Sequence, residues 1–322
     1  MSKKSCYTCG SFSVIKWGTQ NQKQRFKCKL CGQLFIWRND GSRLQKSFIW
    51  FKNWVIGKQT FDYISKDSGY SKSTLQRLFI NYLNKPPVFK IPQKETVHIL
   101  IDGTYFTNDI CLVVYRNNDI KCTQLYRIST GEIYEEIKED LENIKALGIQ
   151  VNSITCDGHP SILKAIKKVY KNDVIMQRCV VHIQRMSRIW LTKEPKSLAG
   201  INLLYIVNQI HKIATTEQKL YWLRALYDWD QQYHEFINEK SVNPDTGRMW
   251  YTHKMIRRVR YTLVRAFPNM FNYIENENIP KSTNALESFF GHLKDNLSIH
   301  RGLTLNHRKN FIKWYLYLRN EE

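Results

Sequence analysis

The spacing of hydrophobic residues changes along the chain from a helical period to runs typical of strands. Between residues 43 and 83 apolar side chains recur every three or four positions, which predicts three short helices. The residues with this spacing are Leu44, Phe48, Phe51, Val55, Phe61, Ile64, Leu75, Leu78, Phe79 and Tyr82. From residue 97 onward, short runs of β-branched residues predict strands.

The three predicted helices have the outline of a helix-turn-helix module over residues 41–85. Gly69 suits the turn before the third helix, and Ser71 suits its N-cap. In such a module the start of the third helix reads bases in the major groove. The side chains predicted to face DNA are Lys72, Ser73, Gln76 and Arg77. The alternative is a plain three-helix bundle with a solvated basic face.

The pattern of residues after position 93 predicts an α/β unit. Apolar runs at 97–101, 110–115 and 121–128 predict three strands, and 131–147 predicts a helix with Ile133 on its apolar face. Residues 151–156 predict another strand, which is followed by a helix from about 160 to 169. Three strands, a helix and a further strand ending in Asp are the order of a ribonuclease H-like fold, whose first part would span 93–190.

The remaining residues predict helices. Between Trp190 and about Tyr273, large apolar residues recur at helical spacing and glycine is rare, so an all-helical insertion is predicted over 191–280. Residues 281–322 would return to the core. In this last part Ser282 or Thr283 can cap a helix that carries Glu287 beside an apolar face. That face consists of Leu286, Phe289, Phe290 and Leu293.

Three carboxylates are the candidates for chemistry. Asp102 and Asp157 end apolar strands, where an ionised carboxylate is costly unless it is paired or bound to a metal. Two such aspartates on neighbouring strands can bridge a pair of Mg²⁺ or Mn²⁺ ions for in-line phosphoryl displacement, and Glu287 is the candidate third ligand. Taken singly, each has a plainer interpretation: Asp-Gly as a turn, and Glu287 as a solvated residue.

Half of the eight cysteines lie within the first 31 residues. They form two CxxCG knuckles separated by 18 residues, and the segments 14–17 and 25–28 between them predict a hairpin. This is the pattern of a zinc ribbon over residues 1–40 in which four thiolates hold one Zn²⁺. The ligands would be Cys6, Cys9, Cys28 and Cys31. The alternative is four unconnected structural thiols.

The charge of the chain is concentrated near its amino terminus. Residues 1–90 contain 17 Lys and Arg against 3 Asp and Glu, which is +14 of the total of +21. Such a surplus indicates a polyanionic partner, most plausibly double-stranded DNA. An anionic membrane surface would also attract it, but no apolar run of about 18 residues and no secretory segment is present. We therefore expect a cytoplasmic, nucleoid-associated protein.

A second basic stretch, residues 248–265, mixes cations with aromatic residues and suits a groove for phosphates and unpaired bases. The candidates there are Arg257, Arg258 and Arg260. The alternative is a solvated helix in which Trp250 and Tyr261 belong to the core. His300 and Arg301 are further candidates for DNA contact near the active site.

Four separated motifs in this order resemble Mutator-type DDE transposases of bacterial insertion sequences. They are the strand ends at Asp102 and Asp157, the Cys179-x-x-His182 pair, and the helix at Glu287 with its preceding Thr-Asn. The resemblance covers about residues 97–303. It implies a DDE triad at the three carboxylates, a ribonuclease H-like fold with a helical insertion, and transposition of an element with terminal inverted repeats. An amino-terminal zinc ribbon departs from many relatives.

Three accessory residues are expected near the site. His159 is expected at a helix start, with DNA contact as an alternative. His182 is expected to hydrogen-bond or contact phosphate at the edge of the active site, with Cys179 packed beneath it. The spacing of the pair could also supply half of a second zinc site, although no other half is evident.

The leading functional prediction is a transposase that cleaves and joins DNA with two divalent metal ions. It competes with a DNA-binding regulator without catalysis and with a metal-dependent nuclease that does not join strands. Because two element ends must be cut together, a homodimer or larger assembly is expected. No Walker-type sequence is present, so a nucleotide cofactor is not expected.

Overall fold

The chain divides into two units, Met1–Phe79 and Ile80–Glu322, in a computed structural model. The structure describes residues 4, 6, 11–36, 40–89, 96–106 and 110–321, without the side chains of 40–46. Cys9, one of the predicted zinc ligands, lies outside the described residues.

The first unit begins with a three-stranded antiparallel sheet. Its strands are β1 (Val14–Gln20), β2 (Lys23–Cys28) and β3 (Leu34–Ile36), in the order β1-β2-β3. Asn21 and Gln22 join β1 to β2 with φ angles of 51° and 61°, the geometry of a two-residue hairpin turn that matches the strand twist. The hairpin is confirmed. The third strand was not predicted, because three residues carry too little pattern.

Three helices follow: α1 (Asp40–Ile56), α2 (Phe61–Ser68) and α3 (Lys72–Leu83). Gly69, with φ of 71°, ends α2, and the Ser71 hydroxyl accepts a hydrogen bond from the Thr74 amide at 3.3 Å. The helices pack through aromatic rings, with Phe51 and Trp54 each within 5.5 Å of Phe79, centroid to centroid. The predicted helices, turn and cap are therefore present.

A five-stranded mixed sheet organises the second unit. Its strands are β4 (Thr96–Tyr105), β5 (Cys111–Asn117), β6 (Cys122–Ser129), β7 (Gln150–Cys156) and β8 (Ile175–Arg178). They lie in the order β6-β5-β4-β7-β8. The β4-β5 and β5-β6 pairs are antiparallel, whereas β7 and β8 extend the sheet in parallel. The carboxyl ends of β4, β6, β7 and β8 consequently meet at one edge.

Helices α4 (Tyr134–Ala146) and α5 (Pro160–Tyr170) cover one face of this sheet. On β4 the alternate residues Val97, Ile99 and Ile101 belong to the core beneath them. Because side chains alternate along a strand, Asp102 points to the opposite face. Ile133 was expected in the core; instead it is the exposed N-cap of α4, because the helix begins after it.

The segment between β8 and the last two helices has its own hydrophobic core. It comprises α6 (Val180–Leu191), α7 (Leu198–Gln209), α8 (Thr216–Gln232), α9 (His234–Asn238), β9 (Lys240–Val242), β10 (Met249–Tyr251) and α10 (Lys254–Ala266). The prediction of an all-helical insertion is wrong at residues 240–251, where β9 and β10 pair antiparallel. The Asn243 side chain accepts hydrogen bonds from two amides of the turn, and Gly247 supplies a positive φ.

Two helices, α11 (Asn284–Ile299) and α12 (Leu305–Asn320), return to the sheet. Asn320 completes the exposed edge of β6: its side chain accepts from the Thr123 amide at 2.8 Å and donates to the Thr123 carbonyl at 2.9 Å. The amide group thus replaces a neighbouring strand at this position. In the described part of the chain, no helix is both long and apolar enough to cross a bilayer.

We expect Asp140 to be a main stabilising residue of the second unit. Its buried carboxylate accepts from the Tyr115 hydroxyl at 3.0 Å and from the Arg127 guanidinium at 2.5 and 2.8 Å, which joins α4 to β5 and β6. Asp140→Ala should lower the free energy of unfolding by about 2–4 kcal/mol, measured by urea denaturation, because it leaves buried donors unsatisfied. Glu142→Ala, at an exposed helical ion pair, should cost less than about 1 kcal/mol. Equal effects would contradict this role.

Candidate active site

The parallel pairing of β4 with β7 brings the two predicted catalytic aspartates side by side. The last pair in register is Ile101 with Cys156, so Asp102 and Asp157 are the next residues on neighbouring strands. Asp157 directly follows β7, as predicted. Asp102 was also expected at a strand end; instead β4 continues to Tyr105, because it remains paired with β5 after its pairing with β7 has ended.

Asp102 is buried, with 5% of its surface exposed, and its carboxylate accepts a hydrogen bond from the Gly103 amide at 2.9 Å. Burial raises the pKa of Asp102 to about 7, and repulsion from Asp157 adds to the effect. The nearby His182 lowers this pKa, but by less. The protein groups around Asp102 therefore stabilise its ionised form poorly.

Glu132 is a fourth carboxylate at this edge, and the sequence analysis missed it. It lies between β6 and α4 with its side chain 10% exposed, and its Oε1 is so near Gly103 that a Cβ there would come within 2.7 Å. Burial and repulsion from Asp157 raise the pKa of Glu132. The signal available in the sequence was topological, because Glu132 follows a strand parallel to β4 and therefore emerges at the same edge of the sheet.

The helix with Glu287 is anchored by Cys179. The Cys179 sulfur, fully buried at the N-cap of α6, accepts hydrogen bonds from the His182 amide at 3.4 Å and the Thr283 amide at 3.3 Å. Burial raises the pKa of this thiol, but its hydrogen bonds with His182 and Thr283 outweigh burial and leave the pKa lowered. Thr283 occupies the N-cap position of α11 without capping it, contrary to expectation, because its hydroxyl contacts Cys179.

Glu287, on α11, contacts Arg185 and His182 of α6. Its carboxylate accepts two hydrogen bonds from Arg185 at 3.0 and 2.9 Å and lies 3.6 Å from His182 Nδ1. Hydrogen bonding with Cys179 raises the pKa of His182, and the charges of Asp157 and Asp102 act in the same direction. The His182 ring therefore contacts Glu287 and is also affected by the charges of the two aspartates.

The three carboxylates do not converge to metal-binding distance. Within the described residues, the one group of three or more potential ligands whose atoms lie within 4.8 Å of one another is Cys6, Cys28 and Cys31. Cys6 and Cys31 are 3.6 Å apart, sulfur to sulfur. Cys179 and His182 belong to no such group in the same part of the chain.

His159 is the N-cap of α5, as expected. Its amide donates to the Asp157 carboxylate at 2.8 Å, and its Nε2 lies 4.0 Å from Glu132. Its Nδ1 is buried without a hydrogen-bond partner. The ring therefore borders the carboxylates.

The predicted DNA-contacting residues differ in how available their side chains are. On α3, Lys72, Ser73, Gln76 and Arg77 are all exposed, whereas Leu75 and Phe79 are buried, as the spacing predicted. Lys72 forms an ion pair with Asp62. Arg301 is exposed. His300 is 7% exposed and packs against Phe311 at 5.4 Å, centroid to centroid, so its burial argues against the predicted DNA contact.

In the second basic stretch, Trp250 and Tyr261 are 46% and 59% exposed, which excludes the alternative that they are core residues. Arg257 stacks on Tyr251 at 3.7 Å and Arg258 on Trp190 at 4.2 Å, measured to the ring centroids. Arg260 already forms an ion pair with Asp230. Arg257 also donates to Asn238, but among the described residues neither it nor Arg258 pairs with a carboxylate, so both are better placed than Arg260 to meet a phosphate.

Comparison with known proteins defines the class of this chain. The family described as "Transposase, Mutator family" matches residues 125–301, which is more than half of the chain. The protein therefore belongs to the Mutator family of transposases, as the four motifs indicated. A search of curated proteins gave no match.

The burial of Asp102 predicts a stability that depends on pH. Because its folded pKa of about 7 lies above the ordinary aspartate pKa of 3.8, ionisation opposes folding, and the stability that this group contributes is lost as the pH rises from about 4 to 7. In chelator, the stability advantage of Asp102→Asn over wild type should grow by about 2–3 kcal/mol between pH 5 and pH 8, by urea denaturation. Asp173→Asn, at an exposed position, should show no such growth. An equal pH dependence for both variants would contradict the assignment.

Proposed function

We propose that this chain is a DDE-type DNA transposase that binds terminal inverted repeats, cleaves DNA and transfers strands with two divalent metal ions. The observation that carries the proposal is the adjacent register of Asp102 and Asp157 at the edge of a mixed sheet, in a member of the Mutator family. The order β6-β5-β4-β7-β8, with three antiparallel strands followed by parallel ones, supports a ribonuclease H-like core.

The chemistry of the acidic cluster fits Mg²⁺ or Mn²⁺, which prefer carboxylate oxygens. Asp102 and Asp157 would hold the ions, and Glu287 would complete the set. When bound, the ions supply activation of the attacking oxygen and stabilisation of the leaving oxygen. Glu132, the buried fourth carboxylate, would support the same site, since its negative charge adds to the attraction for cations.

Glu287 and Arg185 would act together at the edge of the site. Arg185 donates two hydrogen bonds to the Glu287 carboxylate and is about half exposed. Its guanidinium would orient the glutamate and is accessible to a DNA phosphate. His182, which lies 3.6 Å from the Glu287 carboxylate, would orient the glutamate while its amide donates to the buried thiol of Cys179. His159 would border the DNA on the other side of Asp157.

The first unit would find the DNA. We propose that β1–β3 form a zinc ribbon with Cys6, Cys28, Cys31 and Cys9 as ligands, and that α1–α3 form a helix-turn-helix. The exposed side chains on α3, namely Lys72, Ser73, Gln76 and Arg77, would contact the duplex. Arg257, Arg258 and Arg301 would contact it from the second unit. A homodimer or larger assembly would bring two ends together.

Carboxylate substitution tests the catalytic proposal. Asp102→Asn, Asp157→Asn and Glu287→Gln should each lower cleavage of a duplex carrying the repeats that flank the coding sequence by at least about 100-fold, because each removes a metal ligand. Glu132→Gln should lower it less. End binding, measured by gel shift, should persist in all four. Joined products from wild type distinguish a transposase from a nuclease that only cuts.

Asp173→Asn is the matched control, since it removes an exposed carboxylate elsewhere on the second unit. It should cleave like wild type. Wild-type rates in the Asp102 and Asp157 variants would refute the catalytic site, and a wild-type protein that binds ends without cutting in Mg²⁺ or Mn²⁺ would favour a regulator.

Zinc removal tests the ribbon. We expect about one zinc per chain by elemental analysis, and Cys28→Ser should lose it because a closed four-thiolate site needs every ligand. Cys122→Ser, at a buried thiol far from β1–β3 in sequence, should retain the zinc. Full zinc content in the Cys28 variant would contradict the site.

A further inference from the structure

A basic cavity of about 460 Å³ lies beside the proposed catalytic edge, between α5, β8 and α10. Its lining includes Gly158, which directly follows Asp157. Four cations line it, and no carboxylate does. The cavity is here called the basic pocket, and its four cations are Lys164, Lys167, Arg178 and Arg265. Arg265 ends the basic stretch 248–265 predicted from the sequence, whereas Lys164, Lys167 and Arg178 were not singled out because they lie on two other elements.

Arg178 is fixed in place next to Asp157. Its guanidinium lies against Gly158 so closely that a Cβ there would come within 2.0 Å of its carbon, and Nη2 donates to the Asp157 carbonyl at 3.3 Å. Gly158 also has a φ of 94°, which favours glycine. The Arg178 Nε is buried without a hydrogen-bond partner. The Arg178 guanidinium is thus held at the pocket with one N–H group, at Nε, that has no hydrogen-bond acceptor.

Lys164 and Arg265 contact uncharged aromatic side chains. Lys164 lies over the Tyr134 ring at 4.1 Å, and Arg265 donates to the Tyr261 hydroxyl at 3.3 Å. Across the described residues, no ion pair involves any of the four basic-pocket cations. Like charges gathered without counterions repel one another, and a bound anion would relieve this repulsion.

We propose that the basic pocket binds the phosphodiester backbone of the DNA strand that enters the active site. An arginine fork and two lysines suit phosphate oxygens, and the exposed ring of Tyr261 offers a stacking surface for the adjoining nucleotide. The attachment of Arg178 to residues 157 and 158 ties this contact to the position of Asp157. The inference rests on the proposed function, because it assigns the path of its DNA substrate.

The salt dependence of DNA binding tests the pocket. The probe is a 30-base-pair duplex of arbitrary sequence, bound in chelator so that no cleavage occurs, and its affinity is measured by fluorescence anisotropy at several salt concentrations. Lys167→Gln combined with Arg265→Gln should reduce the slope of log affinity against log salt by about 2, since each phosphate contact contributes about 0.9. Both side chains are exposed, so the variant should fold, which thermal unfolding checks.

The matched control removes two cations elsewhere: Lys138→Gln with Arg224→Gln, each at an exposed helical ion pair. Its slope should stay within about 0.5 of wild type. Equal slopes for the pocket and control variants would overturn the inference. It would also be overturned if the pocket variant lost binding of inorganic phosphate, measured by calorimetry, while its DNA slope stayed at the wild-type value. If the double variant unfolds, Lys167→Gln and Arg265→Gln alone should each lower the slope by about 1.

The two proposals fail separately. If the pocket variant has a reduced slope but the wild type never cleaves DNA, the pocket proposal is supported and the transposase mechanism is refuted. If the pocket variant has the wild-type slope but cleavage depends on Asp102, the mechanism is supported and the pocket proposal is refuted.

Discussion

The parallel register between β4 and β7 is the constraint on which the candidate site depends. With Ile101 opposite Cys156, the backbone itself sets the spacing of Asp102 and Asp157, and the buried residues of both strands make a slip costly. A shift of one residue would turn Asp102 toward the hydrophobic core beneath α4 and α5. The same packing that stabilises the sheet therefore forces two carboxylates together, and their repulsion remains as stored electrostatic energy that a cation can release.

Cys179 plays a comparable role for the distant part of the site. Its sulfur joins the start of α6 to the start of α11, and the Thr155 hydroxyl donates to the Pro280 carbonyl at 2.8 Å just before that helix. These contacts position α11, although the whole insertion separates it from β8 in sequence. The Cys179-x-x-His182 spacing is thereby explained by packing and orientation: the thiol holds α11, and His182 faces the carboxylates.

The sequence predicted what depends on local pattern. The apolar runs before Asp102 and Asp157 predicted the two neighbouring strands, although β4 continues past Asp102, and helical spacing predicted the buried and exposed faces of α3. Predictions failed where the outcome depends on tertiary contacts: Glu132 reaches the site only through sheet topology, and His300 is buried by Phe311. The pairing of β9 with β10 was hidden because two three-residue strands carry too little periodicity. Arg185 and Arg178 were missed because their significance lies in partners on other elements.

The placement of the insertion has a consequence for the order in which the protein is made. All five strands of the sheet, with both aspartates, are encoded before residue 179, whereas Glu287 follows more than a hundred residues later. A ribosome can therefore complete the sheet while α11 is still untranslated. On the proposed mechanism, a nascent chain would hold its two aspartates together yet lack the third ligand. Cleavage competence would thus arise only once translation has passed the insertion and reached α11.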